Sequence, residues 1–161
     1  MNLENQKRQK NKLLIVFLAV YIVCIVAFVF SNSITGSEAS ASKSRVVAEK
    51  LQTIVDTDNK IITANFHRIV RKIAHIAEFA LLGTGLGGLF YAIYLSSGKK
   101  YVSVFLLVGL FVGLFDELIQ EFNSRKSLAS DVLIDFGGIV IGFFAVLLAI
   151  FLINKIKKRR Q

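Results

Sequence analysis

Four long apolar runs separated by polar links dominate the hydrophobic pattern of the chain. Residues 13–30, LLIVFLAVYIVCIVAFVF, carry no charged side chain. As a helix this run rises about 27 Å, close to the thickness of a bilayer's hydrocarbon core. Further apolar runs cover about 73–95, 101–121 and 131–153. The pattern predicts an all-α fold: an integral membrane bundle of four transmembrane helices forming a single domain over 1–161. The long polar stretch 31–72 is expected to be a loop. Its first part, SNSITGSEASASKS, is serine-rich and reads as irregular. In its second part, residues 45–56, apolar Val47, Leu51, Ile54 and Val55 fall near one helical face, which predicts a short amphipathic helix on the membrane surface or on the other helices. A solvated loop helix fits this spacing equally well.

Lys7, Arg8, Lys10 and Lys12 ahead of the first run give it the outline of a signal peptide. The run is longer than the usual apolar region of about 7–15 residues, and no A-x-A site follows at once, so a retained helix is expected. The second run holds Gly83, Gly87 and Gly88, and the pairs 83/87 and 84/88 match small-xxx-small spacing, which lets helix backbones approach closely. With no proline in the chain, any bend must come from elsewhere.

Composition sharpens the class. Apolar residues make up 54% of the 161, beyond what an ordinary soluble core uses. The net charge of +9 sits mainly in tails and loops and lacks the aromatic interleaving of single-stranded nucleic-acid sites. It therefore implies anionic lipid as the partner and no nucleic acid. The lone cysteine, Cys24, lies inside an apolar run, can form no intrachain disulfide and reads as packing. Basic residues concentrate in the N-terminal tail, the 96–100 link and the C-terminal tail with Lys155, Lys157, Lys158, Arg159 and Arg160. The positive-inside rule then places both termini in the cytoplasm, and the 31–72 loop and the 122–130 link on the outer face.

The candidate chemistry lies in the stretch 111–138, FVGLFDELIQEFNSRKSLASDVLIDFGG, with partners in 71–78. Asp116, Glu117 and Gln120 end the third run; Arg125 follows in the link; Asp131 opens the fourth run and Asp135 lies one turn deeper. Arg71, Lys72, His75 and Glu78 open the second run. A charge at the bilayer centre costs roughly 2.5–3.5 kcal/mol on insertion scales and less near an end, so such groups mark a site by default. In the expected topology they all fall in one outer-leaflet layer. The spacings 71/75/78, 116/120 and 131/135 put them on shared faces. A polar cluster facing the bundle interior is inferred, with Arg71, Lys72 and Arg125 opposing the carboxylates. Bland readings stand beside it. Asp131 serves equally as a helix cap, Arg71 and Lys72 as residues reaching to headgroups, and the cluster as a salt-bridge network that holds helix register.

The motifs Arg71-Lys72-x-Ala74-His75-x-x-Glu78-Phe79-x-x-Leu82-Gly83, Asp116-Glu117-x-x-Gln120-x-Phe122 with Arg125, and Asp131-Val-Leu-Ile-Asp135-x-x-Gly138 resemble those of the VanZ-like family. The serine-rich stretch after the first run is similar to that of its Gram-positive members. One departure is that Phe122-Asn-Ser-Arg125 stands where the family usually has a Phe-x-Pro-Gly-Arg type turn. The resemblance implies a cell-envelope membrane protein linked to resistance to teicoplanin and to lipid-bearing antibiotics, with no reaction firmly attached.

Three functions remain open from the sequence. In the first, the cluster of Arg71, Lys72, His75, Glu78, Asp116, Glu117, Gln120, Arg125, Asp131 and Asp135 binds a membrane-lipid headgroup, a lipid-linked envelope molecule or a lipoglycopeptide. In the second, a membrane-embedded enzyme moves protons through His75 or Glu78, oriented by Asp116 or Asp135. No nucleophile motif or phosphate loop accompanies these residues, and no cofactor is expected. No metal site is assigned, although His75, Glu78, Asp116 and Asp135 would offer mixed nitrogen and oxygen ligands to a metal-assisted version. The third is a small carrier, which four spans would support only as a homo-oligomer.

Overall fold

The structure is a computed structural model that describes residues 3–34, 63–122 and 129–160, without the side chains of residues 3, 63–68, 70, 71 and 129. The described residues form four helices and no strand: α1 Leu3–Ile34, α2 Thr63–Ser97, α3 Val102–Phe122 and α4 Ala129–Arg159. Each contains a stretch long and apolar enough to cross a membrane. The helices outrun the apolar runs that predicted them. α1 continues through Ser31, Asn32 and Ser33 to Ile34, and α2 begins at Thr63, where a loop to residue 72 was expected. A helix need not stop where hydropathy stops, because its backbone bonds are internal and its polar ends extend into the headgroup layer. The expected amphipathic helix at 45–56 and the link 123–128 lie outside the described residues.

Contacts settle the direction of each helix. Asn11 near the start of α1 donates to the Ala92 carbonyl (3.0 Å) and to the Ser96 hydroxyl near the end of α2, while Asn32 at the end of α1 reaches Glu78 in the first half of α2. α1 and α2 are therefore antiparallel. At mid-height the Tyr21 hydroxyl donates to the Leu81 carbonyl (3.1 Å) and lies 3.3 Å from the Thr84 hydroxyl. α2 ends at Gly98, whose φ of +69° suits glycine, and whose N–H closes the last turn on the Tyr94 carbonyl at 2.8 Å.

α2 and α4 approach until backbone meets backbone. A Cβ at Gly83 would run into the Ile139 carbonyl oxygen, and one at Gly142 into the Ala80 carbonyl oxygen. Gly87 and Gly138 are nearly as tight: a Cβ at either would lie 2.7 Å from a carbonyl oxygen across the interface. The 83/87 pair thus works against a matching 138/142 pair on α4. The other glycines of α2, Gly85 and Gly88, receive Tyr21, Ile22 and Leu18 of α1. Around this contact lies the core, Phe79, Leu82, Leu86, Phe90, Ile139 and Phe143, with Val29 from α1.

The distribution of side chains differs from that of a soluble protein in its apolar surface and in the acids buried beside the apolar core. Asp116, Glu117, Gln120, Asp135 and Ser33 are buried, while Phe17, Phe28, Phe111, Phe115, Phe144 and Phe151 point outward. An apolar exterior, with polar groups kept inside the bundle, is what a lipid solvent selects. Cys24, read as packing, is instead on the exposed face of α1, because Ile22, Ile25, Val26 and Val29 form the stripe that turns toward the bundle.

Gly142→Ala is expected to destabilise by about 1–3 kcal/mol or more, since carbonyl backbone cannot step aside. Gly137→Ala, whose Cβ meets nothing within 4 Å, should be neutral or slightly stabilising. Thermal unfolding of the two variants in detergent, followed by circular dichroism, checks the contrast.

Candidate functional site

All four helices bring polar side chains to the same end of the bundle, opposite the basic tails. α3 presents Asp116 and Gln120 one turn apart, and Gln120 Nε2 donates to Asp116 Oδ2 at 2.7 Å. The other oxygen of Asp116 accepts from the Ser33 hydroxyl of α1 at 2.5 Å. Asp116 is fully buried, and Glu117 beside it is 5% exposed. α4 contributes Asp131 in its first turn, where a carboxylate complements the helix dipole, and Asp135 one turn deeper. α2 supplies Lys72, His75 and Glu78.

Lys72 Nζ lies 3.1 Å from Asp131 Oδ1. The pair is partly exposed and worth about 0–1 kcal/mol on its own account. Its effect is to engage the described cation of the site at the mouth, away from the deeper carboxylates. His75 Nδ1 is 3.8 Å from Asp135 Oδ1, beyond hydrogen-bond length. The other oxygen of Asp135 is buried and has no hydrogen-bond partner among the described residues. Asp135 is only 2% exposed, and a buried polar atom left unsatisfied costs about 1–3 kcal/mol. One donor atom each of His75, Asp116 and Asp135 falls within 4.8 Å of the others. Two ionised carboxylates at that separation repel by roughly 3 kcal/mol at an effective dielectric constant of about 20.

Lys72, His75, Glu117, Gln120, Asp131, Ile134 and Asp135 line a cleft whose void is about 20 Å³. That is room for one water molecule or one bare cation in its depth. The Phe79 ring, fully buried and stacked 6.4 Å from the imidazole, backs His75 on the core side. Glu78 points elsewhere. It accepts from Asn32 Nδ2 of α1 at 3.0 Å and does not line the cleft.

Of the residues singled out from the sequence, Lys72, His75, Asp116, Glu117, Gln120, Asp131 and Asp135 come together here. Glu78 flanks them on the α1 side. The side chain of Arg71 and all of Arg125 lie outside the described residues. Asn32 and Ser33 were missed, because the serine-rich stretch reads as the start of a loop. The stripe Ile22, Val26 and Val29 continues at Ser33 with helical spacing, and that was the signal for it.

A family profile, described as VanZ/LLP1, matches residues 17–152. The chain belongs to the VanZ/LLP1 family. The stretch shared with VanZ/LLP1 proteins takes in every site residue above and leaves out only the two tails. Searches of the curated proteins and of the solved structures find no significant match.

Ser33→Ala withdraws a donor from a buried carboxylate and is expected to cost about 1–3 kcal/mol. Ser31→Ala, on the exposed side of the same turn, should cost almost nothing. Comparing their unfolding temperatures in detergent tests whether the end of α1 is part of the site.

Proposed function

We propose that this VanZ-like protein is a cell-envelope membrane protein whose polar end binds the polar part of a membrane lipid or of a lipid-tailed, glycopeptide-type antibiotic, and so alters antibiotic susceptibility. The observation that carries this reading is the cleft itself: six of its seven lining side chains are polar, inside a bundle otherwise coated with hydrocarbon. A network serving only to hold helix register would close on itself rather than open toward the bundle end. By the positive-inside rule the basic tails lie in the cytoplasm of a cell membrane and the polar end faces outward, where envelope molecules are met.

The cleft's depth is too small for a headgroup, so the ligand sits at the mouth. There Lys72 meets phosphate or carboxylate, the role proposed for Arg71 and Arg125 as well. Glu117 and Asp131 accept hydrogen bonds from sugar hydroxyls or amines. The acyl tails of the ligand lie along the exposed apolar faces of the helices. The alternative reading, an enzyme acting on a lipid or cell-wall precursor, draws on the approach of His75 to Asp135. Comparing lipid and precursor profiles with and without the protein separates the two. A product that disappears in His75→Ala favours the enzyme.

At equal membrane abundance, Arg125→Ala and Glu117→Gln are expected to lower the teicoplanin concentration that cells tolerate toward that of cells lacking the protein. Unchanged tolerance in both variants rejects the binding reading.

A further inference from the structure

Asp116 and Asp135 are almost completely buried on facing helices, yet they are held in opposite ways. Both oxygens of Asp116 already accept hydrogen bonds, from Ser33 and Gln120. These set the plane of the carboxylate. Asp135 has one oxygen 3.8 Å from the imidazole and the other without a hydrogen-bond partner among the described residues. Lys72, which could have balanced this charge, is engaged by Asp131. Asp135 therefore offers a buried oxygen that no described donor satisfies.

We propose that His75, Asp116 and Asp135 bind a single divalent transition-metal cation. One imidazole nitrogen and two carboxylate oxygens form a donor set of borderline softness, suited to Zn²⁺ or Mn²⁺ and not to thiolate-seeking Cu(I) or to Ca²⁺, which takes oxygen ligands throughout. A metal about 2.1 Å from each ligand would hold the donors about 3–3.4 Å apart. They now lie within 4.8 Å, so rotation of side chains by about 1 Å closes the set without moving a helix. Three protein ligands leave a coordination position open, and the adjoining void of about 20 Å³ accommodates a water molecule there. The hydrogen bonds from Ser33 and Gln120 to Asp116 orient that ligand, as partners behind metal ligands commonly do. The dication offsets the repulsion between the two carboxylates and occupies the unpartnered oxygen of Asp135.

The test uses tag-free, full-length protein in phosphatidylcholine nanodiscs, stripped with a chelator, loaded with Zn²⁺ or Mn²⁺ alone and desalted. Wild type is expected to retain one equivalent of at least one of these metals per chain. Asp135→Asn and His75→Gln are expected to lose it, and Glu121→Gln, exposed at the end of α3, to keep it. X-ray absorption of the loaded wild type should show imidazole nitrogen and carboxylate oxygen at about 2.0–2.2 Å. Background levels of both metals in the wild type overturn the proposal, as does full retention in both site variants. Because the wild-type stoichiometry stands by itself, a variant that fails to insert leaves the proposal open to refutation. No antibiotic is added, so this outcome is independent of the susceptibility assay.

Discussion

The structure depends on the backbone contact between α2 and α4. In a bilayer, apolar side chains gain nothing by leaving lipid for one another, so helices associate through close packing and interhelical polar bonds. The missing Cβ atoms at Gly83 and Gly142 allow carbonyl oxygens of the opposite helix to occupy that space. The two helices are thereby set in a register that no larger residue would permit. About two turns toward the polar end from Gly83 and Gly142 stand His75 on α2 and Asp135 on α4. Their approach to 3.8 Å is a consequence of the glycine register below them.

The remaining helices complete what this pair begins. α3 brings Asp116 against the pair with the Gly109 backbone resting on Ile139, and Gln120 one turn further fastens the carboxylate. α1 has an almost unbroken lipid-facing surface and looks at first like a simple anchor. Its last turn, however, delivers Ser33 to Asp116 and Asn32 to Glu78. Asp116 and Glu78 thus accept hydrogen bonds from neutral side chains of α1 and α3, which meet part of the need that burial creates. What the described donors leave over is concentrated on one atom, the second oxygen of Asp135. An incompletely satisfied buried group of this kind is where a ligand or ion gains most by binding, since it removes a standing cost.

Much of this was legible in advance. Runs of uncharged residues announced four spans, and the placing of Asp116, Asp131, Asp135 and His75 near span ends announced a polar layer at one end. The motifs around those residues pointed to the family that the match over 17–152 establishes. What could not be read was where the helices stop. Ser31, Asn32 and Ser33 have the composition of a loop, and only the docking of Asn32 against α2 and of Ser33 against α3 shows why the helix carries on through them. The division of labour among the acids was hidden too. Glu78 has the same spacing from His75 as a ligand would, yet it turns to Asn32.

Taken alone, then, the order of residues determined how many times the chain crosses a bilayer and at what height its charges lie, because hydropathy is summed along a single segment. It also showed which helix could tolerate close approach, through the 83/87 pair. Which acid meets which base, and which oxygen is left without a partner, was decided only in three dimensions. Those facts depend on the rotation and crossing of each helix, and these follow from contacts such as Gly83 with Ile139, between residues far apart in the chain.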